Sequence, residues 1–130
     1  MNFVDTNILV YFSELEERRY PRAAEIVEAG GIVSVQVLNE ITNVLRSKSR
    51  LDWTSIDVFL RLAQTMLSVT PLTLQTHKTA LQLAQRYGVH IYDANILAAA
   101  LLAGCDTLYS EDMQNGLLVE GRLRVVNPFA

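Results

Sequence analysis

Brief apolar runs alternate along this chain with longer segments of helical periodicity. Phe3-Val4, Ile32-Val33-Ser34, Val69–Leu72, Thr107-Leu108-Tyr109 and Leu123–Val126 are bounded by turn residues and predict short strands. The proline inside Val69–Leu72 places that strand near an edge of its sheet. Between them, Ile8–Phe12 predicts a short apolar helix. Pro21 suits the first turn of a helix over Arg22–Ala29, which Gly30-Gly31 ends. Ser34 can cap a helix from Gln36 to Ser47. Thr54-x-x-Asp57 has the form of a capping box opening a helix through Leu67. A helix over Thr76–Tyr87, with Leu81 and Ala84 inward, stops at Gly88. The helix Ile96–Ala103, apolar almost all round, should be the most buried of all.

Strands separated by helices predict an α/β fold with a parallel sheet and right-handed crossovers. In such a sheet the strand C-termini and the N-termini of the following helices share one edge, where ligands bind. Asp5 follows the first strand and Asp112 the fourth, while Asp93 heads a helix. Glu40 lies within two turns of the start of the helix after the second strand. At about 100° per residue, Val37, Ile41, Val44 and Leu45 share that helix's apolar face, and Glu40 falls just beside it. Taken singly, Asp5 could be a helix cap and Glu40 a solvated flank residue. Together they predict four carboxylates in one crevice.

Two unit charges about 4 Å apart repel by roughly 4 kcal/mol at an effective dielectric near 20, so such a cluster calls for a cation. All-oxygen ligation points to Mg²⁺, or Mn²⁺ in its place. His77 and His90 lack metal-ligand spacing, and the single Cys105 offers neither a disulfide framework nor a thiolate site. Metal-assisted phosphodiester hydrolysis fits, with Asp5, Glu40, Asp93 and Asp112 holding metal and Thr6, Asn7 and Ser110 orienting them.

Length and composition leave this picture standing. With 130 residues, half of them hydrophobic and 19% charged, one globular domain over residues 1–130 is expected. No signal-peptide pattern opens the chain, and the apolar run Ile96–Ala103 is too short for a bilayer. A soluble protein of a reducing compartment, the cytoplasm, is expected. The net charge of −3 argues against a broad basic nucleic-acid footprint but not against phosphate bound through a metal. Arg46, Lys48 and Arg50 form one basic cluster that could meet RNA or a protein partner, and Arg18, Arg19 and Arg22 form another.

The order Asp5-Thr6-Asn7, Asn39-Glu40, Tyr92-Asp93-Ala94 and Ser110-Glu111-Asp112 resembles the PIN-domain ribonucleases, and within them the VapC-type toxins. The tail from Asp112 to Phe129 is similar to the same subgroup, so the resemblance spans the chain. It implies a three-layer α/β/α sandwich and a Mg²⁺- or Mn²⁺-dependent endoribonuclease. It also implies a small cognate antitoxin and a homodimer. Asp5, Glu40, Asp93 and Asp112 match the family's acidic positions, and Ser110 its small hydroxyl position. Glu111 beside Asp112 leaves two candidates for the last acid. The motif's spacing, with the acid two residues after the hydroxyl, favours Asp112. Two relatives in fold class fit less well. A receiver domain would show an acidic pair after the first strand and a lysine near the end, and a haloacid-dehalogenase-type phosphatase an Asp-x-Asp where Asn7 stands. The alternative of another class is a catalytically inactive RNA- or protein-binding module on the same fold.

Overall fold

A computed structural model describes all residues 1–130. The strands are β1 (Asn2–Val4), β2 (Ile32–Ser34), β3 (Ser68–Thr70), β4 (Thr107–Tyr109), β5 (Leu118–Val119) and β6 (Leu123–Val126). The helices are α1 (Thr6–Phe12), α2 (Tyr20–Glu28), α3 (Val35–Ser47), α4 (Trp53–Met66), α5 (Leu74–Tyr87) and α6 (Ile91–Leu102). One six-stranded sheet runs in the order β3-β2-β1-β4-β6-β5. All neighbours are parallel except β5, which returns antiparallel on β6. Helices α1 to α4 pack among themselves and α5 packs on α6, so the sheet is flanked by two helical groups, as the three-layer expectation requires. No helix is long and apolar enough to cross a membrane.

The strand order positions the site. From β1 the chain crosses outward to β2 and β3, then returns to the other side of β1 as β4. The sheet therefore reverses direction between β1 and β4, the kind of switch point where the strand ends part and leave a crevice. The register aligns Val4 with Tyr109, so Asp5 and Ser110 emerge side by side.

Both central strands carry their apolar residues into the core: Phe3, Val4 and Leu108 have no exposed surface. Helix α6 has Ala94 and every residue from Ile96 to Leu101 buried, which matches its all-round apolar sequence. Cys105 is a buried core thiol.

Several local expectations are corrected. Helix α4 is capped by Asp52, whose carboxylate accepts from the Ser55 N–H, and not by Thr54, which lies inside the helix. Asp caps as well as Thr and came first in the chain. Strand β3 lies at the sheet edge as expected but stops at Thr70, leaving Pro71 outside, since proline cannot donate to the ladder. Leu81 is exposed; α5 instead buries Thr76, Ala80 and Leu83, and Ala84 is half-buried. Its cap is reciprocal, with Thr73 and Thr76 each accepting the other's backbone N–H. Helix α6 begins five residues earlier than Ile96, because His90 caps it by accepting the Tyr92 N–H on Nδ1. Strand β5 was not expected; two residues, Leu118 and Val119, carry too little pattern to separate from a turn.

Candidate active site

Asp5 ends β1 and caps α1, so the cap reading and the site reading describe the same residue. Its backbone N–H donates to Tyr109 O at 3.0 Å, continuing the β1–β4 pairing one step past the strand. Its carboxylate is only 5% exposed. Oδ1 accepts the Thr6 N–H at 2.7 Å, and Oδ2 accepts the Ser110 hydroxyl at 2.7 Å. Ser110 is fully buried and also receives the Met113 N–H at 3.4 Å. Burial pushes the Asp5 carboxyl up to about 6, against the lowering pull of the two hydrogen bonds, and the charges of Glu40 and Asp112 push the same way. This acid is withdrawn from water and has no cation beside it.

Glu40 is delivered by α3, which Ser34 starts by accepting the Val37 N–H. Each of its oxygens is held: Oε1 by the Thr6 hydroxyl at 2.8 Å and Oε2 by the Gln36 amide at 2.7 Å. Asp112 follows β4 and accepts from the Asn7 amide at 3.1 Å. The same Asn7 side chain accepts the Glu111 N–H at 3.3 Å, so α1 and the loop after β4 are clipped together by one residue. Glu111 points elsewhere: Tyr11 donates its hydroxyl to Oε1, and Arg19 Nε donates to Oε2 at 2.9 Å. Burial and the Glu111 carboxylate push the Tyr11 phenol up to about 12, so it stays a donor.

Asp93 stands in the first turn of α6. Its carboxylate makes no hydrogen bond, and burial, followed by the charges of Asp112 and Glu40, raises its pKa, with His90 opposing. The charges of Glu40 and Asp112 thus act on both Asp5 and Asp93. A cleft of about 380 Å³ opens above them, lined in part by Thr6, Asn7, Glu40, Lys48 and Asp112. Neither Asp5, which is buried, nor Asp93 is among its lining residues. No three acidic, histidine or cysteine side chains are drawn into a ready-made metal-binding group. Asp5, Glu40 and Asp112 are each held by their own neighbours. The donor set is carboxylate oxygen throughout, one member is buried without a counter-charge, and this chemistry fits a hard divalent cation such as Mg²⁺.

The basic cluster after α3 divides. Lys48 reaches the cleft. Arg46 turns away, with its guanidinium 4.7 Å from the Trp53 ring centre and a hydrogen bond to Leu51 O at 3.1 Å. Arg50 is exposed in a left-handed turn beyond the helix. Gln36 and Tyr11 escaped sequence reasoning, and Arg19, read only as part of a basic cluster, was not expected to meet Glu111. Gln36, four residues before Glu40 on α3, could have been found from that spacing. Tyr11 and Arg19 meet Glu111 from 100 and 92 residues away, and no local pattern announces such contacts.

Comparison with known proteins agrees with this arrangement. The family model described as the PIN domain matches residues 3–114. Among curated proteins nothing matches. The fold is shared with a chain of a toxin–antitoxin complex from Klebsiella pneumoniae (TM-score 0.73, 22% identity, 98% of each chain covered). It is shared too with VapC20 of Mycobacterium tuberculosis, a sarcin–ricin-loop-cleaving toxin (TM-score 0.71, 19% identity, 86% of this chain and 90% of that one). DNA-bound VapBC from Salmonella typhimurium is a third neighbour, at TM-score 0.64 and 15% identity over 95% of each chain.

Proposed function

Because the chain belongs to the PIN-domain family, we propose that it is a Mg²⁺- or Mn²⁺-dependent endoribonuclease, the toxin of a toxin–antitoxin pair. The observation that carries this reading is Asp5: a buried carboxylate raised to about 6, in the field of Glu40 and Asp112, at the sheet's switch point. Burying such a carboxylate costs stability that two hydrogen bonds offset only in part, and a bound cation would offset the rest.

Asp5, Glu40, Asp93 and Asp112 would hold the cation, directly or through water. When bound, the cation supplies an acidified water and neutralises charge on the attacked phosphate. The protein's own groups do the rest. Ser110 and the Thr6 N–H fix Asp5, Thr6 and Gln36 fix Glu40, and Asn7 fixes Asp112. Asp93, alone of the four in lacking a hydrogen bond, is free to take the proton of the attacking water. Lys48, on the cleft wall, attracts the phosphodiester.

On this reading the activity belongs to the cytoplasm, where RNA is at hand. Complexes among the structural neighbours support a small cognate antitoxin as partner. A second cavity of about 400 Å³ adjoins the cleft and is walled in part by Val10, Val44, Leu45 and Leu51, which suits an apolar antitoxin segment. Leu74 and Leu81, exposed and seven residues apart on α5, offer an apolar face for a homodimer.

The test is cleavage of total cellular RNA by protein freed of partners, wild type beside Asp5→Asn, in Mg²⁺, Mn²⁺ and EDTA. Discrete cuts that need metal and vanish in the variant are expected. Binding of RNA equally with and without metal, and no cutting, would replace the nuclease with an inactive binding module.

A further inference from the structure

Basic side chains are few on this acidic chain, yet three arginines border one cavity. Arg18, Arg19 and Arg22 enclose about 210 Å³ together with Pro128 and Phe129, apart from the acidic cleft. Their charges are not equally available. Arg19 is engaged by Glu17 and Glu111, both at 2.9 Å. Arg22 faces Glu25 at 3.2 Å, an exposed pair three residues apart on α2, which contributes little and yields readily to a stronger anion. Arg18 has neither an ion pair nor a side-chain hydrogen bond. The cavity thus offers two guanidinium groups to an incoming anion, with the third holding the wall in place.

We propose that this cavity is a second RNA subsite, in which Arg18 and Arg22 hold a phosphate while a base of the same strand stacks on Phe129. The inference rests on the ribonuclease reading above and adds where the strand lies beyond the cut. A guanidinium pair beside an aromatic ring is the arrangement that holds single-stranded nucleic acid, with charge tracking the backbone and the ring receiving a base. An acidic peptide would need the charges but not the ring. Continuity with the cleft comes through α1. Asn7 holds Asp112 at the cleft, and Tyr11, one turn later, meets the Phe129 ring edge-on with centres 5.3 Å apart. One turn is about 6 Å of helix, so a single strand can occupy both places. Arg19 ties the two together, its guanidinium 4.7 Å from the Tyr11 ring centre and bonded to Glu111, next to Asp112.

The experiment measures binding of a short single-stranded RNA to the full chain by fluorescence anisotropy over a series of KCl concentrations. Asp5→Asn is the background that removes cleavage. Adding Arg18→Ala and Arg22→Ala should weaken binding about tenfold at low salt. It should also flatten the plot of log Kd against log salt by about 0.7, the contribution of the one phosphate that the pair holds. Lys78→Ala with Arg122→Ala, an equal loss of exposed charge elsewhere, should change neither. Phe129→Ala should cost at least about fivefold on normal RNA and little on an abasic strand. A double variant indistinguishable from the charge control overturns the subsite. So does one that binds RNA normally but loses an acidic protein partner, which would assign the cavity to that partner. If the wild type still cuts RNA in either case, only this inference falls. If the wild type neither binds nor cuts RNA, the ribonuclease reading falls with it.

Discussion

Ser110 and Asp5, 105 residues apart in the chain, meet in a buried hydrogen bond of 2.7 Å between the ends of adjacent strands β4 and β1. The hydroxyl donates to Oδ2 of a carboxylate that burial has raised, so it favours the charged form. Replacing it with alanine leaves a buried charged oxygen short of a donor, at a cost of about 1–3 kcal/mol. That cost falls on the ionised acid. Urea denaturation of Ser110→Ala without metal should therefore show a larger loss at about pH 8 than at about pH 4. Equal losses at both would mean that Ser110 serves packing alone.

Asp5 itself makes the metal-free fold sensitive to pH. Its folded pKa, about 6, lies above the ordinary 3.8, so the folded state binds this proton more tightly than the unfolded chain does. The resulting stability is fully present below the unfolded value and is lost as pH rises through the folded one. The shift corresponds to about 3 kcal/mol. Asp93, raised in the same direction, adds to it. In chelator, Asp5→Asn should be more stable than wild type by a similar order at neutral pH and nearly equal to it in acid. An unfolded Asp5→Asn protein would show that the carboxylate is structural.

A cation bound by these acids reverses that cost. Ligand present at about a hundred times its Kd stabilises by roughly 2.7 kcal/mol, which raises the Tm of a domain this size by several degrees. Millimolar Mg²⁺ or Mn²⁺ should produce such a rise in wild type and a much smaller one in Asp5→Asn or Asp93→Asn. No rise in wild type would count against a shared metal site.

What the sequence disclosed follows from what is local. Strands Ile32–Ser34, Thr107–Tyr109 and Leu123–Val126 were legible to the residue, because short apolar runs between turn residues have few other places to go. That Glu40 and Asp112 come to one cleft was legible through topology, since parallel strands send their ends to one edge. Helix starts were less so. Asp52 outcompeted Thr54, and His90 capped α6 although histidine is a rare cap, because each choice turns on backbone angles that residue type does not fix. Asn7 was legible as a residue that orients a carboxylate, and it donates to Asp112. The Gln36 bond to Glu40 and the Tyr11 and Arg19 bonds to Glu111 were not expected, the last two because they depend on tertiary placement.

The neighbouring acids Glu111 and Asp112 should behave differently. Glu111 is occupied by Tyr11 and Arg19, and Asp112 lines the cleft. A glutamine at 111 can accept from Arg19 through its amide oxygen while its NH2 donates to the Tyr11 hydroxyl, so Glu111→Gln should keep cleavage within severalfold and lose no more than about 1 kcal/mol of stability. Asp112→Asn should lose on the order of a hundredfold in cleavage with its fold intact, since it removes a carboxylate that would hold the cation. The reverse ranking would identify Glu111 as the working acid.

The last prediction concerns a glycine far from the cleft. Gly31 opens β2 beside β1, and a Cβ there would stand 2.8 Å from the backbone oxygen of Asn2. The obstacle is main chain, so no side chain can swing aside; β1 and β2 must part or the local backbone must turn. Gly31 O also receives the Ser68 N–H at 2.9 Å, which ties the same point to β3 and limits how far it can move. Overpacking of this kind costs about 1–3 kcal/mol. Because β1 ends at Val4 and Asp5 follows it directly, a shift of β1 also moves Asp5 relative to Ser110. Gly31→Ala should therefore lower urea stability and reduce cleavage, while Gly116→Ala, where nothing lies within 4 Å of the added Cβ, should spare cleavage and cost only its own left-handed turn. Full activity in a destabilised Gly31→Ala protein would show that the Asp5–Ser110 contact tolerates displacement of its strand.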